Sequence, residues 1–458
     1  MAKWCVLVFS YIFYAVLSAK EFTWIFISSD SGDWLAGATW WFVVQPVGSP
    51  LYILLGHFLN ALPGDLVLKM TLILSCACSA VTVMFVYLIV QKLSTRLVAV
   101  ACSLLLLGSA VFLTQSTVLE EYAITTMFMT GAFWFYLCGK KKLVGLFLGL
   151  AIAVHIFALI FALLWFAILW REWRQWWKAY VITAVAGCGP YILIPILMYF
   201  DTPRLLAGDL SISSLKMYLF DISNGIIGTM SVFEAPKRFF MTGIILLTSF
   251  SVGLVFAVRG VKPLDKTKLL LLSNIIFILW YILTTVDPIT WTYITFISPA
   301  IVILCGIGLV KYKRWAVCAV LITSVVLAGL NATYLNANKL TQENPLAVEY
   351  YNELVALPDN SVVVVTPGAY SLGLFYAMSD GKKLVPISYP YIEEWKFVDY
   401  YEWLKRTYPN TREDTLSTIK NNLGNTYLVQ TPEIIEDWNG LFVLDDVSAN
   451  IKRVIEVK

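Results

Sequence analysis

Ten long apolar runs follow one another before residue 335, near 4–26, 67–91, 97–115, 121–138, 143–170, 179–199, 238–258, 268–286, 290–310 and 315–334. Crossing a bilayer as a helix takes ~20 mostly apolar residues, because lipid offers no partner to backbone N–H and C=O groups. The fold class this pattern imposes is mainly α, a polytopic membrane helical bundle. Composition agrees, with 59% of the 458 residues hydrophobic and 14% charged, against roughly a half and a quarter in soluble domains. A single aqueous core stops growing near ~250–300 residues, so lipid is the solvent for most of this chain.

Charge orients the bundle, since Lys and Arg collect on the cytoplasmic side. Basic clusters stand at Lys3, Lys92/Arg96, Lys140–Lys142, Arg171/Arg174/Lys178, Arg259–Lys268 and Lys311/Lys313/Arg314. All six share one side only if the run from Leu143 to Trp170 crosses twice, as a hairpin of two short helices meeting near His155. The reading is then about eleven transmembrane helices in a multi-pass protein of the cell membrane, with a cytoplasmic N-terminus and an extracytoplasmic C-terminus. The outer side receives residues 27–66, the Glu120–Glu121 corner, residues 200–237 and everything after 335. The first run has no small-x-small cleavage site before Glu21 and continues through Phe22–Ile27, which reads as a retained anchor.

Residues 1–335 are thus expected to form the transmembrane domain and 336–458 a small soluble α/β domain. In the tail, helix signals at Pro345–Ala356 and Tyr370–Met378 alternate with strand signals at Ser361–Thr366, Lys383–Ile387, Thr426–Gln430, Leu441–Leu444 and Lys452–Val457. The eight cysteines lie in or beside apolar segments and none follows residue 318, so the tail has no disulfide framework. With two histidines in the chain and no C-x-x-C pair, no metal site is predicted. The net charge of +3 is small, and no nucleic-acid partner is expected.

The segment Ser28-Ser29-Asp30-Ser31-Gly32-Asp33-Trp34 follows the first apolar run and puts two carboxylates three residues apart. If a helix begins here they share one face, and Asp30 also suits its N-cap. Residues 33–44 suit a helix lying along the membrane surface. Then comes the rigid turn Gln45-Pro46-Val47-Gly48-Ser49-Pro50-Leu51-Tyr52, followed by a second amphipathic run, Leu51–Leu62. This arrangement resembles the start of GT-C glycosyltransferases, and most closely their protein-O-mannosyltransferase-like branch. That branch shows D-S-G-E and H-P-P-G-Y-P-L-Y where this chain has Asp30-Ser31-Gly32-Asp33 and the Gln45–Tyr52 turn. Its A-E-x-Y is similar to Leu119-Glu120-Glu121-Tyr122, and its G-N-H between short helices to Ala153-Val154-His155. Gln45 stands in place of His, Val47 of Pro, Ser49 of an aromatic and Asp33 of Glu, so the turn carries no imidazole.

The resemblance implies transfer of a sugar, mannose among the candidates, from a polyprenyl- or dolichyl-phosphate donor to a protein, glycan or lipid acceptor outside the cytoplasm. It implies Asp30 as general base of an inverting displacement, with Asp33 and Glu120 orienting hydroxyls. His155, Tyr122 and Gln45 become substrate-binding candidates. Arg204, Lys237 and Arg238 are the outer basic residues available to a phosphate, and Asp287 lies in an outer turn. No cofactor is expected; some GT-C enzymes use a divalent metal and others do not. A secondary transporter is the weaker reading, because no internal repeat is present and the acidic residues cluster at one face. A non-catalytic scaffold would not need Asp30, Asp33 and Glu120 together.

Overall fold

A computed structural model of the protein describes residues 2–18, 34–35, 38, 49–201, 234–284, 288–312, 314–337, 352–365, 385–388, 412–429, 441–448 and 451–458. The apolar runs form helices α1 (Ala2–Leu17), α2 (Pro50–Asn60), α3 (Leu66–Leu93), α4 (Arg96–Leu107), α5 (Ala110–Thr117), α6 (Tyr122–Leu137), α7 (Lys141–Val154), α8 (Phe157–Leu169), α9 (Trp173–Asp201), α10 (Glu234–Phe250), α11 (Gly253–Gly260), α12 (Lys266–Thr284), α13 (Ile294–Leu309) and α14 (Arg314–Ala337). Of the α13 span, 83% is buried, against 22% of α14. A helix that is apolar on every side belongs inside protein or lipid. α13 takes the first place, as the axis of the bundle, and α14 lies at the flank.

Among the described residues, four helices are long and apolar enough to cross a membrane: α3, α12, α13 with its preceding turn, and α14. Two bent pairs, α4–α5 at 65° and α10–α11 at 99°, raise the number to six if each is one span. The apolar runs near 97–115 and 238–258 are thus each broken into two helices. The first breaks at Gly108, whose freed carbonyl accepts a 2.6 Å hydrogen bond from Asn331 Nδ2 on α14. In a medium without water such a partner is what makes a break tolerable. The second breaks at Ser251, which adopts φ 44°. A count of eleven needs shorter helices such as α1, α7 and α8 to cross as well.

α7 and α8 form the hairpin drawn from charge. Lys141 Nζ, at the start of α7, donates to Gln175 Oε1 at 2.7 Å, and Lys266 pairs with Glu172 just past α8. At the far end His155 meets Glu121. Lys140–Lys142, Arg171–Lys178 and Lys266 thus gather at one end of the bundle, and the Glu121–His155 pair lies at the other. The two halves rise only ~21 and ~20 Å, short of the ~30 Å of a hydrocarbon core. α7 packs on α9 through Gly145 and Gly149. A Cβ at Gly149 would come within 2.6 Å of Ala186 Cβ and 2.8 Å of Thr183 O, and one at Gly145 would collide with Ala179 O.

The C-terminal part carries strands β1 (Val362–Val365), β2 (Val385–Ser388), β3 (Thr426–Val429), β4 (Phe442–Asp446) and β5 (Ile451–Val457), close to the strand signals, with α15 (Arg412–Asn421). They form one sheet in the order β2-β1-β3-β5-β4. β1 is parallel to both neighbours, and β5 runs antiparallel to β3 and β4. Val362, Val363 and Val364 are all buried, as an unbroken apolar central strand requires. Pro386 sits in edge strand β2, where its missing N–H costs no ladder bond. At the other edge Arg453 pairs with Asp445 at 2.6 Å across β5 and β4.

Candidate active site

Two helix ends and one loop build the site. α5 ends at Thr117, and the chain runs through Leu119, Glu120 and Glu121 into α6, whose N-cap is Glu121. Glu121 makes no side-chain capping bond there, so its carboxylate is available for tertiary contacts. Opposite, His155 ends α7 in an extended conformation (φ −147°, ψ 123°), and its carbonyl accepts the N–H of Ala158 as α8 begins. β-Branched Val154 and Ile156 flank this break, where a helix gains least from them.

Glu120, Glu121, Tyr122 and His155 are all 5% exposed or less. Burying a carboxylate costs on the order of several kcal/mol unless partners compensate, so two adjacent ones demand them. Trp34 Nε1 donates to Glu120 Oε2 at 3.4 Å. His155 Nδ1 accepts the Phe157 N–H at 3.2 Å, and Nε2 lies 3.6 Å from Glu121 Oε1. With Nδ1 used as acceptor, the neutral ring carries its proton on Nε2, the nitrogen that faces the carboxylate.

Aromatic rings wall the site. The Tyr122 and His155 centroids are 5.6 Å apart, and both rings contact Tyr293 and Phe296 at 5.1–5.7 Å. Phe157 adds Tyr281 and Tyr293, each at 4.8 Å. Tyr122, a substrate-binding candidate, is buried among these rings. On the other side the Trp34 ring meets Tyr52 edge-on at 5.7 Å. Burial first, then the Glu120 and Glu121 carboxylates, push the Tyr52 phenol well above its ordinary pKa, so it stays protonated beside them.

The turn holding Trp34 docks on α2. His57 Nδ1 donates to Ala38 O at 2.9 Å, and Trp34, Leu35 and Ala38 are buried. Arg238 is also buried rather than outward-facing, and its Nη1 donates to Ile282 O at 3.2 Å; Lys237 is exposed. Asp30, Asp33, Gln45, Arg204 and Asp287 lie outside the described residues. Among those described, no three His, Cys, Asp or Glu side chains group as metal ligands. Of the residues expected at the site, the structure packs Tyr122 on His155, sets His155 against Glu121, and places Glu120 beside Trp34. Sequence reading did not single out Trp34, Tyr52, Tyr293 or Phe296. Trp34 had a signal in adjoining Asp33, whereas Tyr293 and Phe296 are ordinary aromatics of a late apolar run.

Residues 30–178 match the sequence model of the family described as protein O-mannosyl-transferase TMEM260 N-terminal domain. That stretch contains Trp34, Tyr52, Glu120, Glu121, Tyr122 and His155. By sequence, no curated protein matches the chain. By structure it is similar to ArnT from Cupriavidus metallidurans in the apo state, with TM-score 0.68, 11% identity, and 98% of this chain and 97% of that one covered. The chain has the fold of ArnT. ArnT bound to undecaprenyl phosphate is similar with TM-score 0.65 at 11% identity, covering 98% of this chain and 97% of that one. The Archaeoglobus fulgidus oligosaccharyltransferase in the apo form is similar with TM-score 0.54 at 13% identity, covering 94% of this chain and 70% of that one. The wall formed by Tyr281, Tyr293 and Phe296 comes from outside the family-matched stretch.

Proposed function

We propose that the chain transfers a sugar from a polyprenyl-phosphate carrier to an acceptor on the extracytoplasmic side, with mannose the sugar its family description names. The ArnT structure with undecaprenyl phosphate supports a lipid-phosphate donor, and the oligosaccharyltransferase tethered to an acceptor peptide supports a protein acceptor. The acceptor oxygen attacks the anomeric carbon as the bond from that carbon to the phosphate oxygen breaks. The bonding pair leaves with the polyprenyl phosphate, and the acceptor proton passes to a carboxylate. One such displacement inverts the anomeric centre. Asp30 is the proposed base, Asp33 and Glu120 orient hydroxyls, and Arg204 and Arg238 offset the phosphate charge.

The observation that carries this reading is the bond from Trp34 to Glu120. Trp34 follows Asp33 directly and Asp30 by four residues in sequence, which supports reading the acidic turn beside the buried carboxylates. The test is transfer from a labelled polyprenyl-phosphate sugar in membranes, with protein level measured alongside. Asp30→Asn should lower the rate by ~10²–10⁴-fold, the usual worth of a general base, because Asn caps a helix about as well as Asp. Asp33→Asn and Glu120→Gln should cost less. Near-normal transfer by Asp30→Asn with a dead Glu120→Gln moves the base to Glu120; normal transfer by all three removes the site from this segment.

A further inference from the structure

Next to the candidate site, α5, α10, α14 and the turn Pro288–Tyr293 enclose a second cavity of about 210 Å³. It shares two chain segments with the site. Gln115 in its wall lies five residues before Glu120, and Trp291 lies two before Tyr293, which packs on His155.

Its polar lining is uncharged and rich in acceptors. None of the described lining residues carries a charge. Thr114 and Thr248 already donate their hydroxyl protons to Ala110 O at 2.9 Å and Ile244 O at 3.0 Å. Asn331 donates its amide to Gly108 O. These side chains have lone pairs left to offer a ligand. Gln115 is 7% exposed, and its Oε1 has no hydrogen-bond partner, a buried polar atom that is costly to leave unmet. A phosphate or carboxylate would find no cation in the described lining to balance its charge. A cation would be buried without a counter-charge. A ring bearing several O–H donors and an apolar C–H face fits, with Trp291 and Tyr334 as flat surfaces for that face. The volume falls below the ~300–1,000 Å³ of drug-sized sites, which limits it to one ring.

We infer that this cavity is a monosaccharide subsite, in which the Gln115 amide and the Thr114, Thr248 and Asn331 oxygens accept from sugar hydroxyls. The inference rests on the chain being a sugar transferase and specifies where one of its sugars sits. Donor and acceptor glycan would present the same chemistry, so the experiment separates them.

The full chain in lipid nanodiscs is titrated with methyl α-mannopyranoside and methyl β-glucopyranoside and read by saturation-transfer NMR. Wild type should give a signal. Gln115→Leu, of similar size and apolar, should weaken it by about tenfold, the loss of one hydrogen bond. Gln115→Asn guards against misfolding: it keeps the amide, and a partial signal should return. Absence of a wild-type signal, or an equal signal in Gln115→Leu, overturns the inference. In transfer assays Gln115→Leu should raise the KM of one substrate by about tenfold with kcat little changed. The substrate affected names the source of the sugar, and a KM that moves for neither also overturns the subsite. If wild type binds glycosides yet transfers from no polyprenyl-phosphate sugar, the proposed reaction fails while the cavity stands as a sugar site.

Discussion

Trp34 and Glu120 are 86 positions apart in sequence, yet the indole N–H ends on the carboxylate inside the protein. A charge-assisted hydrogen bond of this kind is stronger than a neutral one, and the ring's packing on Tyr52 fixes its direction. Trp34→Phe keeps the edge-on contact and removes the donor. It should lower transfer by about tenfold, and thermal stability in detergent should fall by only ~1–2 kcal/mol. Equal activity in the variant would make Trp34 a packing residue alone. At the opposite end of the bundle, a charge pair behaves differently. Lys266 first, then the Trp176 N–H, hold the Glu172 carboxyl below its usual range. Both partners are a third or more exposed, so water screens the pair and it contributes little to stability. A depressed carboxyl pKa gives stability that is present above the ordinary value of ~4.3 and fades as pH falls through the folded one. Thermal melts of wild type and Glu172→Gln should therefore differ slightly at pH 7 and draw together as the pH falls below the ordinary carboxyl range.

At the scale of elements, the hairpin α7–α8 was legible because two independent signals met on it. Charge required Lys140–Lys142 and Arg171–Lys178 on one side, and the Val154–His155 break supplied the turn. The bends in α4–α5 and α10–α11 were missed. An apolar run in lipid has no polar face to set a period, and the Gly108-Ser109 and Ser251–Gly253 steps that mark the bends were passed over within runs read as apolar. Val362–Val365 was legible as a strand for the opposite reason: four consecutive β-branched residues between turn signals favour a buried parallel strand. The packing of α7 on α9 gives the element-scale prediction. Gly149→Val places atoms where Ala186 and Thr183 already stand, and overpacking of this sort costs ~1–3 kcal/mol or more. α7 must shift, and His155 at its end shifts with it. The variant should melt lower than wild type and lose more transfer activity than Gly189→Val on α9, where the added Cβ meets nothing.

For the whole molecule, the contacts at the basic end bear directly on which side of the membrane the site faces. Lys141 reaches Gln175, Lys266 pairs with Glu172, Lys311 donates to Lys262 O at 3.1 Å and Arg259 to the Tyr312 hydroxyl at 2.6 Å. Four loops distant in sequence thus share one end, and Glu120, Glu121 and His155 occupy the other. Because positive charge is retained on the cytoplasmic side, we propose that the site and the β-sheet segment are extracytoplasmic. A lipid-linked sugar and its acceptor would meet there. Single cysteines placed at Lys141 and Lys458 test this after the eight native cysteines are replaced, and Cys5, Cys188 and Cys318 matter most because they are exposed. In sealed vesicles of known orientation, a membrane-impermeant maleimide should label position 458 from the outer side and position 141 only after permeabilisation. Labelling of both from the same side would break the rule that the basic end and the tail are opposed, and would require an even number of crossings between them. Labelling of 141 alone from outside would invert the whole bundle, placing the carboxylates in the cytoplasm, where an extracytoplasmic acceptor could not reach them.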